Sequence, residues 1–148
     1  MVKLPPPVWA LFYLIAASVA SVLYPWKSLV DLTIVPLGAV LIVLGLLSLF
    51  SAVGIFRAEG TEINPTSPEN KKLVVRGSFR FTRNPMYLGF VSAPLGIALC
   101  VGALPMFVVP ILVFATANWV HIPFEEAKMR RQFGMAYDSY TRLVRRWI

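Results

Sequence analysis

Hydrophobic positions in this chain come in long unbroken blocks, without the alternation of a half-buried strand or the single stripe of a surface helix. The stretches Val8 to Tyr24 and Ile34 to Phe56 contain no charged residue. Each is close to or above the length a helix needs to cross a hydrocarbon core ~30 Å thick. A third block, Met86 to Ile122, is too long for one crossing, and Gly102-Ala103-Leu104-Pro105 punctuates its middle. The pattern predicts an all-α integral membrane protein with four transmembrane helices, at about 8–24, 34–56, 85–101 and 105–122. They form two hairpins joined by a polar segment. The first span follows Leu4-Pro5-Pro6-Pro7, which cannot lie mid-helix, and Pro94 and Pro110 are expected to kink the third and fourth. With 148 residues, positions 1–148 are read as a single membrane-embedded domain.

Charge orients these helices. Segment 57–84 carries Arg57, Lys71, Lys72, Arg76, Arg80 and Arg83, and the tail carries Lys128, Arg130, Arg131, Arg142, Arg145 and Arg146. Only Lys3 and Lys27 complete the fourteen basic residues, so both basic segments, and with them both termini, are expected in the cytoplasm. A net charge of +7 would otherwise suggest nucleic acid, but basic residues flanking apolar spans are explained by topology, and nucleic acid is not expected as a partner. Hydrophobic content of 57% and charged content of 14% exclude an ordinary soluble domain. Ser18-Val19-Ala20 resembles a leader-peptidase site, yet the proline-rich start makes a poor leader, so the first span is expected to be retained. Cys100, alone in an apolar block, reads as a small buried hydrophobe.

The polar segments have structure of their own. Gly60-Thr61-Glu62-Ile63-Asn64-Pro65 reads as a turn, and Leu73-Val74-Val75-Arg76-Gly77 as a short extended piece ending in another. In the tail, Phe133, Tyr137, Tyr140 and Val144 recur at helical spacing among arginines, which predicts one amphipathic helix on the headgroups or over the bundle.

Candidate chemistry gathers where apolar meets basic. Asn84-Pro85 reads as a helix start, with Asn as N-cap and Pro in the first turn. Tyr87 and Phe79 are aromatic faces at the same depth, which suits either an interfacial belt or a bound cation. Glu125-Glu126 is a carboxylate pair at the membrane boundary, paired with Lys128 or Arg130 as surface charge, or turned towards a cationic ligand. His121 lies four residues before Glu125, so the two share a helical face if Pro123 only kinks the helix. No phosphate-binding glycine loop, metal-ligand spacing or Ser-His-Asp set is present.

Taken in order, Arg83-Asn84-Pro85-Met86-Tyr87-Leu88-Gly89, Glu125-Glu126, Phe133-Gly134, Tyr137 and Tyr140 resemble the isoprenylcysteine carboxyl methyltransferase family, and share elements with phospholipid N-methyltransferases. The resemblance covers about Gly60 to Ile148 and is closest to short prokaryotic-type members. It implies a multi-pass enzyme of a bacterial or archaeal cell membrane that uses S-adenosylmethionine to methylate a lipophilic small-molecule or lipid acceptor. By position it places cofactor contacts at Lys71, Lys72, Leu73, Val74, Phe79, Asn84, Pro85, Met86, Tyr87 and Glu125, with Asn64 as a further polar contact. The family's lipid-substrate arginine falls on His121, the candidate catalytic or acceptor-side residue. The chain departs from the eukaryotic pattern there, at Asn84, where His is usual, and at Phe79, where Tyr is usual. The acceptor group therefore stays open among carboxylate, amine and thiol.

The residue types suit that donor. Tyr87 and Phe79 can face a sulfonium, Glu125 can take an ammonium, and Lys71, Lys72 or the helix start at Asn84 can take a carboxylate. Two other classes share the pattern: a non-catalytic membrane scaffold, and a sterol-reductase-like protein. Binding of S-adenosylmethionine or of NADPH separates the three.

Overall fold

The computed structural model describes residues 5–24, 26, 30–63, 67 and 69–148. Lys3, Lys27 and Asn64 fall outside that set. The described residues contain helices and turns but no strand. Helix α1 (Pro6–Leu23) starts on prolines whose missing N–H groups would be orphans at a helix start anyway. Helix α2 (Val35–Glu59) ends on Gly60, whose φ of 63° lets its N–H turn back onto the Arg57 and Phe56 carbonyls. After a single 3-10 turn (Gly77–Arg80) come α3 (Pro85–Val101) and α4 (Leu104–Thr116), then α5 (Ile122–Phe133) and α6 (Met135–Leu143).

The helices alternate in direction. At one end, the Leu32 and Ile34 amides donate to Gly102 and Leu99, tying the α1–α2 connection to the α3–α4 turn. At the other end, residues 61–63 and 69–84, α5, α6 and the tail form a polar cap. Three apolar helical stretches are long enough to cross a membrane: α1, α2 and Leu104–Phe133; α3 is apolar but shorter. Only 11% of the apolar window is buried in α1 and in α2, so residues such as Leu11, Phe12, Val43 and Phe50 face outward, as expected where hydrocarbon is the solvent.

Three expectations need correction. The fourth apolar helix does not stop near Ile122; it continues from Leu104 to Phe133 through a π-helical turn, Ala117–His121. The Ile122 amide reaches back five residues to the Ala117 carbonyl, and this wider turn accommodates Pro123, whose ring would otherwise press on the preceding turn. Asn84 is no side-chain cap: its amide donates to the Arg146 carbonyl. The tail is not one amphipathic helix, because Gly134 (φ 47°, ψ −123°) breaks it between Phe133 and Met135. That conformation is essentially open only to glycine.

Helices α2 and α3 meet backbone to backbone. A Cβ on Gly96 would lie 2.5 Å from the Gly38 carbonyl oxygen, and one on Gly89 2.5 Å from that of Gly45. Such approach replaces side-chain packing with close main-chain contact, a membrane solution to the absence of a hydrophobic drive between helices. Gly96→Val should lower stability by about 1–3 kcal/mol, while Gly54→Val, with open space around it, keeps the wild-type packing. Thermal unfolding in detergent reads the difference; equal melting of the two variants would contradict the close contact.

Candidate active site

The start of α3 is fixed from the far end of the sequence. The Arg83 amide donates to the Arg145 carbonyl (3.0 Å), while the Thr82 hydroxyl (3.2 Å) and the Asn84 side-chain amide (2.9 Å) both donate to the Arg146 carbonyl. The tail segment around Arg145 and Arg146 therefore straps this loop in place. Beneath it, Glu126, 6% exposed, accepts from Arg146 through both oxygens (3.1 and 2.7 Å) and pairs with Arg83 at 3.2 Å. Arg146 and Trp147 also donate to the Asn118 side chain, within the π-helical turn. Glu126 is thus not surface charge but the buried partner of Arg83 and Arg146.

Around this loop the chain leaves an open cleft whose cavity volume is about 90 Å³. Lys72, Leu73, Val74, Phe79 and Asn84 line it, as do Pro85, Met86, Tyr87 and Glu125. Nine of the positions singled out by resemblance thus meet at one cavity. Lys71 does not: its ammonium sits 3.8 Å from Glu62, 73% exposed. Asn64 lies outside the described residues. The sequence reading missed Phe56, Asn70, Arg83, Glu126, Met129, Tyr137 and Tyr140, which line the same cleft. The i, i+3 tyrosines of α6 were visible as a stripe, but nothing in the pattern said which way it faced.

Each wall has a local cause. Phe79, on the 3-10 turn, stacks on Phe56 with ring centroids 5.0 Å apart, and its carbonyl accepts from the Tyr140 hydroxyl at 2.6 Å. Burial pushes both the Tyr137 and the Tyr140 hydroxyl above the usual phenol range, so each stays protonated. The Asn70 backbone is clasped by Gln132, which accepts from its N–H (3.0 Å) and donates to its carbonyl (2.9 Å). On the rim, the backbone N–H groups of Glu62 itself and of Lys71 hold the Glu62 carboxyl below the usual carboxylate range.

Tyr87 joins the two sequence elements that first drew attention. Its hydroxyl donates to Glu125 at 2.5 Å, and its ring stacks on His121 at 6.3 Å and 24°. His121 is 3% exposed and lies behind Tyr87, in a small chamber with Trp9 and Thr116. It does not line the main cleft. A second, wider cavity of about 410 Å³ shares Phe56, Asn70, Met86, Tyr87, Glu125 and Met129 with the first and extends to Pro5, Pro6 and Pro7 at the start of α1. Two cavities therefore meet at a wall whose polar side chains are Asn70, Tyr87 and Glu125. Among the described residues no cluster of His, Cys, Asp and Glu could hold a metal ion.

Membrane-length apolar helices, no strand among the described residues and a two-chambered cleft under a polar cap define a multi-pass membrane protein of helical class. The sequence model for phospholipid methyltransferases matches residues 33–136, and the chain belongs to that family. The match begins before α2, so it takes in a span that the sequence reading had related only in general character. Membership implies methyl transfer at a membrane, with lipid substrates. No curated protein and no solved structure matches the chain significantly.

Proposed function

We propose that the protein is an integral-membrane methyltransferase that uses S-adenosylmethionine to methylate a lipophilic acceptor. The observation that carries this reading is the meeting of the two cavities at the Tyr87–Glu125 pair. The smaller cleft, under the cap, takes the donor; the wider cavity, reaching the start of α1, takes the acceptor. When bound, S-adenosylmethionine supplies an electrophilic methyl group on a sulfonium. The chain's own part is to hold and align, since in-line displacement gains most from positioning.

The residues fit that donor. Glu125 accepts from the neutral Tyr87 hydroxyl and lies within the field of Lys128, and a ligand ammonium would add a charge-assisted hydrogen bond. Tyr87 and Phe79 offer aromatic faces to a sulfonium, and Leu73, Val74 and Met86 supply an apolar lining. We assign four crossings, with both termini and the 57–84 segment in the cytoplasm. The bonds from Thr82, Arg83 and Asn84 to the tail support a common side for the two basic segments.

His121 is proposed to act on the acceptor side. Its chamber shares Pro6, Tyr87 and Phe90 with the wider cavity. His121→Ala should lower turnover while leaving donor affinity within about threefold, roughly 0.7 kcal/mol. Full turnover in folded variant would remove His121 from the site. The reading as a whole is tested by calorimetric titration of the purified protein with S-adenosylmethionine and with NADPH. A labelled-donor assay against amine, carboxylate and thiol lipids then follows. Saturable binding of S-adenosylmethionine is expected. Its absence would favour a scaffold, and NADPH binding in its place a reductase.

A further inference from the structure

An amino-acid end brings a carboxylate as well as an ammonium, and a partly desolvated carboxylate needs a cation. The lysines nearest the cleft are already answered. Lys71 faces Glu62, and Lys72, 61% exposed, lies 3.3 Å from Glu59. The loop leading into α3 is bonded to the tail carbonyls.

Arg83 is different. Its side chain is 12% exposed, it lines the donor cleft, and it is not among the residues lining the wider cavity. One guanidinium nitrogen, Nη2, meets Glu126 at 3.2 Å, while Nε and Nη1 are buried with no hydrogen-bond partner. Glu126 already accepts from Arg146 through both oxygens. Two permanently charged guanidinium groups thus share one carboxylate, and the Tyr137 hydroxyl, which also faces the Arg83 guanidinium, is neutral, which leaves a positive charge in the wall of the cleft. A buried cationic donor without an acceptor is costly, so such a group calls for an anion.

We infer that Arg83 is an anion-binding residue of the cleft and takes the carboxylate of the ligand's amino-acid end, with Glu126 holding its guanidinium in position. This rests on the donor reading given above. Glu125 and Glu126 are consecutive on α5, so the seat for an ammonium and the support of the carboxylate's seat come from adjacent positions. An α-amino acid carries its two charges on one carbon and matches that arrangement.

The test compares S-adenosylmethionine with its decarboxylated analogue, which keeps the sulfonium and an ammonium but lacks the carboxylate. Calorimetry on wild-type protein should show a preference for the carboxylated ligand of about tenfold or more. Arg83→Gln should abolish the preference by weakening that ligand alone, with the analogue held within about threefold. Arg83→Lys keeps the charge and guards against a folding defect; it should cut the preference without removing it. Equal binding of the two ligands by wild-type protein, or an unchanged preference in both variants, would overturn the inference. Wild-type protein binding neither ligand would instead overturn the donor reading on which it rests.

Discussion

Glu126→Ala should destabilise the protein by about 3–5 kcal/mol, because it strands two arginines that a single buried carboxylate now compensates. Arg83 and Arg146 come from opposite ends of the cap and converge on Glu126. Through Arg146, the same carboxylate steadies the strap that holds Thr82, Arg83 and Asn84 against the start of α3. Removing it leaves two guanidinium groups to repel each other in a space with little access to water. The melting temperature in detergent should fall by on the order of 10 °C. Asp138→Ala gives the comparison: its pairing with Arg130 at 3.5 Å involves groups more than half exposed, and such pairs contribute about 0–1 kcal/mol. If Glu126→Ala melted with Asp138→Ala, the buried network would have no part in holding the cap.

The helices were legible because lipid imposes a simple rule: a stretch that crosses must be apolar on every side. Uncharged runs therefore mark α1 and α2 within a few residues, and Gly60 and Gly102 announce two helix ends through the positive φ that glycine allows. At Pro123 the pattern leaves open whether the fourth helix ends or only kinks. A proline ends a regular helix by default, and whether a π turn will absorb it depends on packing that no local pattern carries. Asn84 misled the reading, since an Asn before a Pro is a cap signal whether or not a distant carbonyl competes for its amide. The cleft was legible where resemblance carried it, along Lys72 to Val74 and Asn84 to Tyr87. Lys71 shows the limit: it lies in a bend, and its side chain meets Glu62 outside the cleft, a direction that position in the sequence does not fix. Arg83 stood in plain view inside the motif. Its partner Glu126, and Arg146 which shares that carboxylate, lie 43 and 63 positions away, so only the fold reveals that its charge is not fully answered.

Glu125→Ala should weaken S-adenosylmethionine binding by about 2–5 kcal/mol, the usual cost of removing one member of a partly desolvated charge pair. That is a loss of about thirtyfold or more. Its neighbour Glu126 acts on stability through Arg83 and Arg146, whereas Glu125 faces the cavity and receives one hydroxyl. A half-buried carboxylate in an apolar-lined cleft contributes little to the unliganded fold, so this variant should melt close to wild type. Two further substitutions divide the effect. Glu125→Gln keeps the shape and the bond from Tyr87 but removes the charge, and should lose nearly as much affinity as alanine. Tyr87→Phe keeps the aromatic face and removes only the hydroxyl that orients Glu125, so its loss should be smaller, about 0.5–1.5 kcal/mol. Calorimetry on the three variants reads the order directly. Wild-type affinity in Glu125→Gln would mean that the ligand's cationic end lies elsewhere. A loss in Tyr87→Phe equal to that in Glu125→Ala would mean that orientation, and not charge, is what Glu125 supplies.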